Sequence, residues 1–115
     1  EVASGSYAGT DQLVAIQTLA RGGDSDALSR LVGMMGSEDL RVRLQARTAL
    51  AGVSRYAPPR LIDSLRSVNP HIRAGAAHLM GFFNVTSVRD ELARLTEDNN
   101  EEVRKAAAYA LQVLH

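Results

Sequence analysis

Three stretches of the chain share one pattern: DLRVRLQARTALAGV at residues 39–53, NPHIRAGAAHLMGFF at 69–83 and NEEVRKAAAYALQVL at 100–114. Each begins with Asp or Asn, places Val or Ile three positions later and follows it at once with Arg. The apolar and small residues that match in all three copies recur at spacings that trace one face of an α-helix. A self-similar helix every 30 or 31 residues indicates a helical repeat protein.

The residues around these stretches complete the repeat. Asp39, Asn69 and Asn100 are predicted N-caps, because their side-chain oxygens can accept hydrogen bonds from free amides of the first helical turn. A weaker helical pattern precedes each stretch, and its third copy has Thr86 or Ser87 as a predicted cap. The sequence therefore predicts helix A, a turn and helix B, three times. These repeats cover residues 24–54, 58–84 and 86–114.

An additional helix is predicted at residues 10–22, ahead of the three repeats. At an offset of 31 residues, Ala15 and Leu19 match Ala46 and Leu50, so this helix is interpreted as a degenerate helix B. Residues 1–9 are too short and Gly-rich to supply a helix A before it. We expect residues 1–115 to form a single repeat domain. Its unusual first helix, and a last helix with no polar capping repeat after it, favour a piece of a longer array.

The repeated pattern D/N-x-x-V/I-R-x-x-A-x-x-A/L-L/M resembles the HEAT-like repeat of the phycobilisome-lyase type. The resemblance implies an all-α fold: a right-handed α-solenoid, or armadillo-type superhelix, of about three and a half helical hairpins. In that family helices A line the convex side and helices B the concave side. Members are mostly protein-binding scaffolds, and some are subunits of bilin lyases or other enzymes. The fold alone therefore does not settle the function.

A candidate binding surface lies on the B helices, opposite the face that builds the core. It combines charged groups, two imidazoles, a phenol and a phenyl ring. The residues proposed for this partner-binding face are Arg41, Leu44, Thr48, His71, His78, Phe82, Glu102, Lys105 and Tyr109. Aromatic anchors carry much of the energy of protein interfaces. The surface therefore predicts recognition of a protein or peptide segment.

The two histidines of this face do not predict a metal or catalytic site. His71 and His78 are seven residues apart, which places them about 10.5 Å apart along a helix axis. One zinc ion binds its nitrogen ligands at about 2 Å, so the pair can hardly share it. Glu102 and Tyr109 are the nearest candidate partners for acid–base chemistry, but no nucleophile–base–orienter arrangement is evident. We therefore expect no catalytic residue, no metal and no cofactor.

A column of arginines, Arg43, Arg73 and Arg104, falls in the first turn or so of each helix B, where the helix dipole disfavours a cation. Its recurrence there predicts a compensating partner, such as a carboxylate or carbonyl of the adjacent repeat. An anion-binding groove is the alternative interpretation of this structural ladder.

Composition narrows the classes of partner. Lys and Arg number 13 and Asp and Glu also 13, without the basic excess of a general nucleic-acid binder. No apolar run approaches the length of a membrane span, and EVASGSYAGT does not read as a signal peptide. We expect a cytoplasmic, non-catalytic scaffold that binds a protein partner as a monomer or self-stacking dimer. A subunit of a bilin lyase-like enzyme and a structural spacer remain the alternatives.

Overall fold

The computed structural model describes residues 10–115, with side chains from Gln12 onward. The prediction that residues 1–9 form no helix A lies outside this range. All regular structure between residues 10 and 115 is helical, so the predicted all-α class is confirmed. The α-helices are α1 Thr10–Arg21, α2 Ser25–Met34, α3 Leu40–Ala51, α4 Pro59–Asp63, α5 Pro70–Phe82, α6 Arg89–Leu95 and α7 Glu101–Val113. Two short 3₁₀ helices, Ser64–Arg66 and Thr86–Val88, follow α4 and precede α6.

The chain divides into two compact units, Glu1–Arg55 and Tyr56–His115. The first contains α1–α3 and the second α4–α7. In the first unit the three helices pack on one another around buried Leu31, Met35 and Leu50. The side chains of Gln17 and Arg21 donate hydrogen bonds of 2.8 Å to carbonyl oxygens at the carboxyl end of α3. These bonds fix α1 against α3.

The second unit is built around the close approach of α5 and α7. Alanines and a glycine lie along this contact, and Ala76, Ala107 and Ala110 are buried. A Cβ atom added to Gly81 would lie 3.0 Å from the Cα of Ala110. Only small residues permit such an approach, so the Ala-rich sequence of the B helices determines how closely α5 and α7 pack.

The helix starts follow the predicted caps in most places. The side chains of Asp39, Asn69 and Asn100 each accept a hydrogen bond from a backbone amide of the following first turn, as predicted. The start of α6 differs: Thr86 and Ser87 lie in a 3₁₀ turn, and no side-chain cap precedes Arg89. The predicted cap at that helix is wrong, because the chain completes this turn before the α-helical hydrogen bonds begin.

Candidate functional site

In the second unit, predicted binding residues from α5 and α7 lie side by side. The Nδ1 atom of His71 is 2.8 Å from Oε1 of Glu102, which is one repeat further along the chain. The rings of His78 and Tyr109 are stacked, with centroids 4.9 Å apart and planes inclined by 10°. Helices α5 and α7 therefore bring four of the predicted residues together as two matched pairs.

Phe82 and Lys105 complete the surface formed by these two helices. The Phe82 side chain is 62% exposed and makes an edge-to-face contact with Phe83 at 5.1 Å. Lys105 forms an exposed ion pair of 3.2 Å with Glu101, one turn earlier in α7. We call His71, His78, Phe82, Glu102, Lys105 and Tyr109 the α5–α7 face.

The other predicted binding residues lie in the first unit, on a groove between α1 and α3. The groove has a volume of about 470 Å³. Arg41, Leu44 and Thr48 line it from α3, opposite Leu13, Val14 and Gln17 of α1. We call it the α1–α3 groove.

The α1 side of this groove was not predicted from the sequence, because α1 lacks the Val-Arg pair of the repeat. The signal was present in the spacing. At the 31-residue offset that aligns the first helix with the repeats, Leu13 falls in the column of Leu44 and Gln17 in the column of Thr48.

The arginine column forms the same hydrogen bond in each repeat. The Nη1 atoms of Arg43, Arg73 and Arg104 donate to carbonyl oxygens six residues earlier, at distances of 2.8, 2.9 and 2.8 Å. These acceptors belong to the turn before the same helix B, whereas the sequence led us to expect a partner in the adjacent repeat. The arginine side chain is long enough to reach back over the first turn of the helix, which explains the spacing of six residues.

The acceptor residues form a further column, which was not predicted from the sequence. They are Ser37, Ser67 and Asp98, each two residues before the N-cap. Their side-chain oxygens also accept a hydrogen bond from the backbone amide of the N-cap residue, at 2.9 to 3.1 Å. The turn before each helix B is therefore stabilised by hydrogen bonds to both the side chain and the carbonyl oxygen of a single residue.

Arg73 has an additional partner in the adjacent repeat. Its Nε and Nη2 atoms each donate to one carboxylate oxygen of Asp98, both at 3.0 Å. Burial alone would raise the pKa of Asp98. The hydrogen bonds from Arg73 and the Asn100 amide, with the positive charges of Arg73 and Arg104, outweigh burial and hold that pKa below its usual value. The carboxylate thus links two repeats and stays ionised at neutral pH.

The part of the chain that the structure describes contains no group of three or more His, Asp or Glu side chains placed to hold a metal ion. Between residues 10 and 115, no helix combines the length and the apolar character needed to cross a membrane.

Comparison with known protein families finds a match within the second unit. Residues 58–114, which span α4 to α7, match the family model for HEAT repeats. No curated protein and no solved structure matches the chain significantly. The family match supports a HEAT-like repeat protein, in agreement with the repeat pattern and with the all-helical fold.

Proposed function

We propose that this protein is a non-catalytic scaffold that binds a protein partner through the exposed faces of its B helices, principally the α5–α7 face. The observation that supports this most directly is the pairing across α5 and α7 of the half-buried His78 imidazole with the exposed Tyr109 ring. HEAT repeats commonly mediate protein–protein interactions, and the match over residues 58–114 covers this face.

The geometry of the face suits recognition. Tyr109 is half-exposed and Phe82 more so, and rings of this kind supply a large contact area with few rotatable bonds. The stack of His78 on Tyr109 and the hydrogen bond between His71 and Glu102 hold the rings in place before a partner arrives. A surface ordered in advance loses less side-chain entropy on binding.

The imidazoles of this face favour binding over catalysis. His71 contacts a carboxylate, and His78 is stacked face to face on a phenol ring. Each of these contacts joins adjacent B helices and orders an imidazole within the face. The proposal therefore assigns these groups to recognition.

The finer architecture belongs to the same proposal. We place the chain in the phycobilisome-lyase type of HEAT-like repeat, as a right-handed solenoid in which helices B line the concave side. The recurrence of one arginine–carbonyl hydrogen bond at intervals of 30 and 31 residues supports a regular repeat. We also place the interaction in the cytoplasm, which fractionation of the native cells tests.

Affinity capture from native cell extract tests the function. The wild-type chain is compared with the double variant His78→Glu and Tyr109→Glu, which places two like charges on the α5–α7 face. Tyr56→Glu is the matched control, because Tyr56 is a strongly exposed aromatic residue of the same unit outside the α-helices. Mass spectrometry identifies the retained proteins, and circular dichroism checks that each variant folds.

The expected result is a partner that both the wild type and Tyr56→Glu retain and that the double variant loses. A partner retained equally by all three would remove the α5–α7 face from the proposal. Absence of any specific partner would favour the spacer role.

A further inference from the structure

A polar cleft in the second unit surrounds the turn that precedes α5. Its volume is about 480 Å³, which leaves room for a phosphoryl group. Three guanidiniums, two carboxylates and one hydroxyl group belong to its lining: Arg66, Arg73, Arg94, Glu91, Asp98 and Ser67. The ionised side chains of this lining carry one positive charge in excess. We call it the arginine cleft.

Two of these guanidiniums share the Glu91 carboxylate unequally. Arg66 contacts both of its oxygens, through Nε at 3.0 Å and Nη2 at 3.3 Å. The Nη2 atom of Arg94 lies 4.0 Å from Oε2, which is too long for a hydrogen bond. The Arg94 side chain is 72% exposed and donates no hydrogen bond to any residue in the range 10–115. Its donors are therefore available to a further anion.

The serine of the cleft occupies a position that an acid occupies in the next repeat. Ser67 and Asp98 both lie two residues before an N-cap. The Oγ atom of Ser67 accepts a hydrogen bond from the Asn69 amide at 3.1 Å. The Asp98 carboxylate accepts one from the Asn100 amide at 2.9 Å and also binds the Arg73 guanidinium. An anion at this position of the repeat is therefore compatible with the fold, and a guanidinium can neutralise it.

The backbone around Ser67 is accessible to a modifying enzyme. Ser67 has φ −61° and ψ 146°, and Asn69 has φ −86° and ψ 117°, so this short connection before α5 is extended. Ser67 is partly exposed, and Val68 beside it is 96% exposed. Ser64 differs, since it is buried and its hydroxyl donates to the Arg60 carbonyl oxygen. Of these two serines, Ser67 is the one that an enzyme can reach without unfolding a helix.

We propose that Ser67 is a phosphorylation site and that its phosphate binds Arg94 within the arginine cleft. In the active site of a protein kinase, the Ser67 hydroxyl oxygen attacks the γ-phosphorus of ATP. A bond forms between Oγ and this phosphorus, the bond from phosphorus to the β-phosphate oxygen breaks, and ADP leaves. The hydroxyl proton passes to a base of the kinase. This modification goes beyond the scaffold function and does not depend on it.

The phosphate would strengthen the attachment of α6 to the turn before α5. A phosphoserine carries a charge of about −1.5 to −2 at pH 7 and three strong acceptor oxygens. Arg94 of α6 supplies donors to these oxygens, and the negative charge also lies near the positive end of the α5 dipole. Because Arg94 is largely exposed, the expected gain is modest, with a rise in Tm of about 2–5 °C.

Incubation of the full-length chain with ATP in native cell extract, with phosphatase inhibitors, tests the modification. Trypsin releases Ser67 in the peptide SVNPHIR, residues 67–73, in which it is the only hydroxyl side chain. Ser37 is the matched control, because it has the same position in its repeat and is the only hydroxyl side chain of the peptide at residues 31–41. Its neighbours are Gly36 and Glu38, where Ser67 has Arg and Val.

Mass spectrometry is expected to find a phosphate on the peptide at residues 67–73 and none on the peptide at residues 31–41. The variant Ser67→Ala is expected to lose the phosphate. An unmodified Ser67, or equal modification of Ser37 and Ser67, would overturn the proposal.

Incorporation of phosphoserine at position 67 during protein synthesis tests its contact with Arg94 without any kinase. Thermal unfolding followed by circular dichroism is expected to show the rise in Tm over the unmodified chain, and Arg94→Gln is expected to remove more than half of that rise. Arg89→Gln is the matched control, because Arg89 is exposed on the same helix but does not line the cleft. A lower Tm with phosphoserine, or a rise that Arg94→Gln leaves unchanged, would overturn the assignment of the phosphate to the arginine cleft.

Discussion

The substitution Gly81→Ala is expected to destabilise the protein, although Gly→Ala in a helix normally stabilises. The usual gain is up to about 1 kcal/mol per helical position. At Gly81 the new Cβ atom would lie 2.9 Å from Cγ2 of Val113 and 3.0 Å from the Cα of Ala110. Carbon atoms prefer about 3.5–4.0 Å, so both contacts are too short by at least about half an ångström.

The two short contacts differ in how easily they are relieved. Val113 is a side chain near the end of α7 and can rotate away, but the Cα of Ala110 moves only with the helix. Overpacking of this kind costs about 1–3 kcal/mol. Subtracting a propensity gain of about 1 kcal/mol leaves a net loss of up to about 2 kcal/mol, or a decrease in Tm of up to several degrees.

Gly33→Ala provides the matched control. Gly33, like Gly81, is the second-to-last residue of its helix, and a Cβ atom there would meet nothing within 4 Å. This variant is expected to be as stable as the wild type or more stable. Urea unfolding followed by far-UV circular dichroism measures both changes. A Gly81→Ala variant more stable than the wild type would refute the close packing of α5 on α7.

Two further predictions concern the carboxylate that links two repeats. Arg73→Ala is expected to lower the free energy of unfolding by about 2–3 kcal/mol, because it leaves the Asp98 carboxylate without its bidentate partner. Arg104→Ala is expected to lower it by about 1 kcal/mol, because it removes one exposed hydrogen bond. Urea unfolding compares the two, and equal losses would contradict this geometry. Because the pKa of Asp98 is lowered in the folded state, its contribution is complete above the ordinary carboxyl value of 3.8 and is lost as the pH falls through the folded pKa. Between about pH 6 and 2, the free energy of unfolding should therefore fall less in Asp98→Asn than in the wild type. If the free energies of unfolding of the two proteins fall in parallel with pH, Asp98 is excluded as a source of the loss of stability in acid.

The sequence predicted those features of the fold that repeat. Val42, Val103 and the alanines at the helix contacts recur at helical spacing and are buried, so the periodic pattern identified which face is buried, although Ile72 in the same column is only half-buried. The N-caps were predictable as well, because Asp and Asn at the start of an apolar helical pattern have one common use. These features depend on local spacing, which one sequence displays directly.

Features that depend on a partner elsewhere in the chain were predicted less well. The arginine column was visible in the sequence, but each arginine donates to a backbone carbonyl oxygen. Because every residue has such a carbonyl, the sequence does not show which one is the acceptor. The α1 wall of the groove was missed because Val14 and Gln17 lie in a helix without the repeat motif. Only packing against α3 makes them part of one surface with Leu44.

Site-specific photocrosslinking tests most directly the claim that the α5–α7 face contacts a protein. A photoreactive phenylalanine analogue replaces Phe82 in one protein and Val68 in another. Val68 is the matched control, since it is 96% exposed in the same unit but lies before α5. After irradiation in native cell extract, one defined adduct is expected from position 82 and none from position 68. The same adduct from both positions, or from position 68 alone, would contradict it.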